Sequence, residues 1–119
     1  MSKKILQAFY KSEAFIQPDI LADYLHPEIV VEWQSTKGLI TMNFQDLIDL
    51  STEMSRAYVQ SNIRLSHMIS ENNQIAVRYS HFVKTIENPL EEMLLAHFMI
   101  IWEFKDGKMH RGFQMSQIS

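Results

Sequence analysis

Met93-Leu94-Leu95-Ala96-His97-Phe98-Met99-Ile100-Ile101-Trp102-Glu103-Phe104-Lys105-Asp106-Gly107-Lys108-Met109 is the stretch on which the fold turns. Ten residues from Met93 to Trp102 are apolar apart from His97, half the ~20 needed to cross a membrane, so a buried strand explains the run. Lys105-Asp106-Gly107 is a tight hairpin signal, because Asp-Gly accepts the positive φ angles of a two-residue turn. Residues Met109 to Gln117 then form a returning strand.

Working back toward the N-terminus, the same alternation continues. Gln74 to Thr85 reads as a strand, bounded by Glu71-Asn72-Asn73 on one side and Glu87-Asn88-Pro89 on the other. Before it, Ile63, Leu65, His67 and Ile69 alternate with Arg64, Ser66, Met68 and Ser70, which places the first set on one face. Residues from Gln60 onward therefore make a four-stranded meander. Ahead of it, Asn43 reads as a helix N-cap with Asp46 three residues on, and the helix runs to about Tyr58. Its apolar face is Phe44, Leu47, Ile48, Ser51, Met54 and Tyr58. Glu28 to Gln34 and Leu39 to Met42 read as two strands around the Ser35-Thr36-Lys37-Gly38 turn. The first 26 residues read as two helices. The first carries Ile5, Phe9, Ser12 and Ile16 at helical spacing; Pro18 opens the second, and Pro27 stops it.

Helices confined to the first half, followed by a four-strand meander, predict an α+β fold with an antiparallel sheet. The 119 residues suit one domain spanning 1–119, large enough to bury about 65% of its unfolded surface without staples. The chain has no cysteine, which excludes a disulfide framework, thiolate catalysis and Cys-ligated zinc, and it fits a cytoplasmic setting. The Lys3-Lys4 start is followed by a sequence broken by Gln7, Lys11, Ser12 and Glu13, unlike a secretory leader. A net charge of −3 with no basic run argues against nucleic acid as a partner, and no stretch is expected to enter a membrane.

Two local patterns, in this order, resemble a known group. Leu25-His26-Pro27-Glu28-Ile29-Val30-Val31-Glu32-Trp33 is similar to the helix-to-strand passage of SnoaL-like proteins, and Trp102-Glu103-Phe104-Lys105-Asp106-Gly107-Lys108-Met109 to their last hairpin. The whole chain resembles the nuclear-transport-factor-2-like superfamily. That resemblance implies a cystatin-like cone: a curved antiparallel sheet packed on three helices of the N-terminal half, with an apolar pocket inside. The superfamily includes cyclases, isomerases, dehydratases and non-catalytic binding or scaffold domains, so fold alone selects no function. SnoaL-like enzymes often carry a Glu-His-Trp-Asp-like run after the final turn. Here the stretch is Arg111-Gly112-Phe113-Gln114, with Gly112 at the histidine's place and Gln114 at the acid's. Isomerase-like members place an acid near what is Ile100. Both departures weigh against those mechanisms.

The remaining titratable candidates are His67, His81 and His97, one on each of three adjacent strands. The hairpin lengths put His81 on the face of Ala96, Phe98, Ile100 and Trp102, and His67 and His97 on the other. His81 is the candidate catalytic residue. Candidate pocket-lining residues are Trp33, Met54, Tyr58, Phe98, Ile100 and Trp102, with Gln114 and Ser116 as polar contacts to a ligand. Arg78 and Arg111 read as ion-pair residues, and Glu103 with His110 as a cross-strand pair. No metal site and no cofactor are expected. Leu95, Met99 and Ile101 would form an apolar outer face, which predicts a homodimer through the sheet. The expected function is binding of a small apolar or aromatic molecule, with residual acid–base activity; the alternative is a non-catalytic binding or assembly domain.

Overall fold

The computed structural model describes residues 2–118. Helix α1 spans Ser2–Lys11 and α2 Pro18–Tyr24; β1 (Leu25–Ser35) and β2 (Gly38–Met42) form a hairpin; α3 spans Phe44–Ala57. The meander follows as β3 (Tyr58–Glu71), β4 (Gln74–Thr85), β5 (Glu92–Lys105) and β6 (Lys108–Ile118). The six strands form one sheet in the order β2-β1-β6-β5-β4-β3.

The sheet is mixed rather than wholly antiparallel as expected. β1 runs parallel to β6, with Val31 opposite Gly112 and Trp33 opposite Gln114. The reason is topological. β1 and β6 are separated by the rest of the chain, so no short turn forces them to run in opposite directions.

Turn chemistry behaves as local rules require. Asp106 and Gly107 both have positive φ (55° and 74°), joining β5 to β6 through Lys105 opposite Lys108. Asn72 at φ 55° turns β3 into β4. Asn43 caps α3: its Oδ1 accepts from the Asp46 amide at 2.9 Å, and the Asp46 carboxylate accepts from the Asn43 amide at 3.0 Å. Pro18 occupies the first turn of α2. Helix α1 ends at Lys11, a turn short of the predicted Ile16. There the Ser12 hydroxyl donates to the Phe9 carbonyl at 2.6 Å and accepts from the Ala14 amide at 3.2 Å, diverting the backbone from the helix.

Two bulges change which residues face inward. One lies between Leu65 and His67, so Ile63 pairs with His81 but Met68, not His67, pairs with Val77. Met68 packs against the core and Ile69 is 66% exposed, but Ile63 also packs against the core, so Ile63 and Ile69, expected on one face, lie on opposite faces. The other lies in β5 beside the His81–Ala96 pair, where Phe82 meets Leu94. Leu95 is thereby turned inward instead of joining the outer face.

The core lies between the helices and the concave side of the sheet. Leu6, Phe9 and Tyr10 of α1 and Leu21 of α2 pack on Ile29, Val31, Val77, Ile100 and Met109. Ser51 of α3 is buried at 2% exposure because its hydroxyl donates to the Ala14 carbonyl at 3.0 Å, tying α3 to the α1–α2 turn.

Candidate functional site

The helices and the sheet leave a cavity of about 390 Å³ between them. Its walls are mainly aromatic and aliphatic: Phe9, Phe15, Trp33, Tyr79, Phe98 and Trp102 contribute rings, and α3 contributes Leu47, Leu50 and Met54. Ser35, Thr36 and Lys37 of the β1–β2 turn also border it. No aspartate or glutamate lines it among the described residues. An open hollow of about 340 Å³ at Pro27, Asn43, Phe44 and Gln45 carries no titratable side chain.

Of the residues singled out from sequence, His81, Trp33, Met54, Tyr58, Phe98, Trp102, Gln114 and Ser116 all line this cavity. Ile100 does not; at 1% exposure it is packed inside the core beneath the cavity wall. The Trp33 indole donates to the Ser116 hydroxyl at 2.7 Å, so these two groups fix each other on the wall. The Trp102 indole donates to the Tyr10 hydroxyl at 2.9 Å, and Tyr10 is hydrogen-bonded in turn to Tyr79. Burial raises the pKa of both phenols, which stay neutral.

His81 is 2% exposed, opposite Ala96 and beside Phe15, whose ring centroid lies 4.9 Å away. Its Nε2 is 2.7 Å from the Ser61 hydroxyl. Burial among apolar neighbours disfavours the charged ring and lowers its pKa to about 4. Ser61 was not singled out by sequence reading. It reaches His81 because the bulge at Ser66 sets the β3 register. The Ser61 amide donates to the Glu13 carboxylate at 3.1 Å, anchoring β3 to the α1–α2 turn.

His67 and His97 lie on the outer face, next to Ser66 and Ser80 respectively. Arg78 donates to the Ser66 hydroxyl there, and Arg111 donates to the Glu28 and His110 carbonyls; among the described residues neither arginine forms an ion pair. The expected Glu103–His110 pair does not form. A bulge after Glu103 sets that residue opposite Arg111, where it accepts from Gln74 at 2.8 Å, while His110 packs edge-on against His26 with centroids 4.7 Å apart.

His26, Glu28 and His110 bring one ligand-type atom each within 4.8 Å of one another. Two of the lone pairs are already committed: His26 Nδ1 accepts from the Glu28 amide at 3.0 Å, and His110 Nε2 accepts from the Arg111 guanidinium at 3.3 Å. Partial burial and the adjacent Arg111 also lower the His110 pKa. The two rings are thus held by a backbone amide and an arginine, with His26 Nε2 3.7 Å from the Asp106 carboxylate.

Gly112 explains one departure from the SnoaL-like pattern. A Cβ there would lie 2.8 Å from Cζ3 of Trp102 and 3.2 Å from Cγ2 of Val31. The Trp102 ring fills the place where a side chain at 112 would stand.

No family model matches the chain, and no curated protein sequence matches it. Solved structures do. IdmH of Streptomyces antibioticus, a candidate polyketide cyclase, superposes with a TM-score of 0.75 at 12% identity over 98% of this chain and 92% of its own. A phenazine biosynthesis-related protein of Pseudomonas aeruginosa gives 0.74 at 11% identity, covering 98% of this chain and 79% of its own. A protein of unknown function from Burkholderia pseudomallei with the nuclear-transport-factor-2-like fold gives 0.66 at 15% identity, covering 99% and 90%. At such identities the likeness is one of architecture, and the chain has the nuclear-transport-factor-2-like, SnoaL-like fold.

Proposed function

We propose that this chain binds a small, largely apolar molecule, aromatic or polycyclic, in the cavity between the helices and the sheet. The observation that carries the reading is a ring-lined cavity of about 390 Å³ in which His81 is the one buried, uncharged imidazole. Cavities of roughly 300–1,000 Å³ with apolar walls and a few polar groups suit small organic ligands. Trp33 and Trp102 report on it directly, since both line it. Titration with 2-acetonaphthone, a bicyclic aromatic ketone, is expected to change tryptophan emission saturably. Met54→Trp, which fills the cavity from α3, weakens that binding by about tenfold or more through steric exclusion. Unchanged affinity in this variant would place the probe elsewhere and sink the reading.

A second reading is acid–base chemistry of the cyclase, isomerase or dehydratase type on the bound molecule, with His81 as the proton-handling group. What favours it is the same imidazole: a ring held neutral at physiological pH against the ligand can accept or relay a proton. Binding without turnover on a panel of carbonyl substrates supports a non-catalytic binding domain instead.

The proposal includes a homodimer through the outer sheet face. Met99 and Ile101 on β5 stand opposite Met115 and Phe113 on β6, and these four are 39–64% exposed. Arg78 lies beside this stripe on β4 and Glu32 beside it on β1. A two-fold axis along the strands lays the arginine side of one copy over the glutamate side of the other. A cytoplasmic setting belongs to the same proposal, supported by a cysteine-free sequence that needs no oxidising compartment. Among the described residues no helix is long and apolar enough to cross a membrane.

A further inference from the structure

The environment of His81 specifies more than its neutrality. Ser61 is 5% exposed, and its hydroxyl has a single partner among the described residues, His81 Nε2. A buried hydroxyl hydrogen without an acceptor is costly. Were Nε2 protonated, Ser61 could only accept from it, and its own hydrogen would be stranded. With Nε2 unprotonated, that hydrogen has its acceptor. A neutral imidazole carries one N–H, so the proton then sits on Nδ1.

Nδ1 has no hydrogen-bond partner among the described residues, yet every fully buried side-chain nitrogen and oxygen among them has one. Nδ1 is therefore open to space, and the space that His81 borders is the cavity. Elsewhere on the wall, the indole N–H groups of Trp33 and Trp102 are taken by Ser116 and Tyr10.

From this we infer that Ser61 is a positioning residue that holds His81 in the Nδ1–H tautomer, and that the cavity accordingly selects an apolar molecule bearing a carbonyl-type oxygen, as in a ketone, ester, lactone or quinone, which accepts from Nδ1–H. The inference rests on the ligand reading above and names the class of molecule. It assigns His81 the part of an electrophile that polarises a carbonyl, in place of a base aimed at a C–H bond. Among the described residues no carboxylate lines the wall, which agrees, since a carboxylate would repel the electron-rich oxygen.

Two measurements test it independently. Long-range ¹H–¹⁵N correlation spectra of the unliganded protein read the tautomer without any ligand. The expected result is a protonated Nδ1 and an unprotonated Nε2 for His81. Ser61→Ala should shift the ring toward Nε2–H, while Ser61→Thr, which keeps a hydroxyl, should hold the original tautomer. A wild-type ring protonated on Nε2 overturns the inference whatever the variants do.

The second measurement compares 2-acetonaphthone with 2-ethylnaphthalene, similar in shape but lacking the carbonyl. The wild type should prefer the ketone by about tenfold, because the hydrocarbon leaves Nδ1–H desolvated and unpaired. Ser61→Ala should narrow that ratio and Ser61→Thr restore it. Equal binding of both probes refutes the carbonyl assignment while leaving the ligand reading intact. No binding of either probe removes both.

Discussion

At the scale of the residue, His81 gives the cavity wall a buried group that titrates. Its pKa drops from 6.5 to about 4 because the ring has lost water on nearly all sides. Above pH 6.5 the ring is neutral in folded and unfolded chains alike, and its contribution to stability is complete. As the pH falls from 6.5 toward 4, the unfolded chain takes up a proton that the folded one refuses, so stability declines; below about 4 the decline levels off. The gap corresponds to about 3 kcal/mol. Urea unfolding of the wild type and His81→Gln at neutral and mildly acidic pH checks this. The wild type should lose about 2–3 kcal/mol more than the variant on acidification, the carboxylate contributions cancelling between the two proteins. Equal losses would mean that the ring is solvated.

Sequence reading found His81 but missed Ser61. Counting back from the Asn72-Asn73 turn without a bulge sets Arg64 opposite His81 and turns Ser61 outward. The bulge at Ser66 moves the register by one, so that Ile63 faces His81 and Ser61 turns inward. A serine in a strand carries no mark in sequence that it will meet a histidine twenty positions later.

At the scale of the element, α3 was legible because its start is chemically explicit. Asn43 and Asp46 satisfy each other's backbone amides, and the helix then carries Leu47, Leu50, Ser51 and Met54 toward the cavity. Asn43→Ala should lower global stability by about 1 kcal/mol, since it leaves the Asp46 amide without its acceptor. Thermal or chemical unfolding measures it, and no change would show that α3 is held by packing alone. The end of α1 was less legible. Residues 12–16 keep a helical spacing of apolar side chains, but Ser12 competes for the backbone and Phe15 is needed at the cavity wall beside His81. Periodicity shows which face is apolar and is blind to where a hydroxyl breaks the ladder.

At the scale of the molecule, the outer face of the sheet sets the expected assembly. Its apolar stripe on β5 and β6 is larger than isolated exposed residues require. Light scattering at micromolar concentration should return twice the chain mass. Ile101→Lys, which places a charge in the centre of the stripe without touching the cavity, should return the single-chain mass and leave the unfolding transition cooperative. A wild type that is already monomeric ends the proposal.

The sequence by itself determined the succession of helices and strands, the hairpin at Asp106-Gly107, the cap at Asn43, the concave placement of His81 and the apolar character of both faces of β5. All are local: they follow from turn chemistry, capping and a period of two or 3.6 residues, each decided within a few positions. Only the tertiary structure decided that β1 runs parallel to β6, that Leu95 and Ile63 point inward, that Ile100 is core rather than cavity wall, and that Ser61 backs His81. Those outcomes hang on which strands become neighbours and on single-residue bulges. A bulge reverses a strand's faces at almost no local cost, so its position is fixed by packing across the whole sheet and by no residue taken alone.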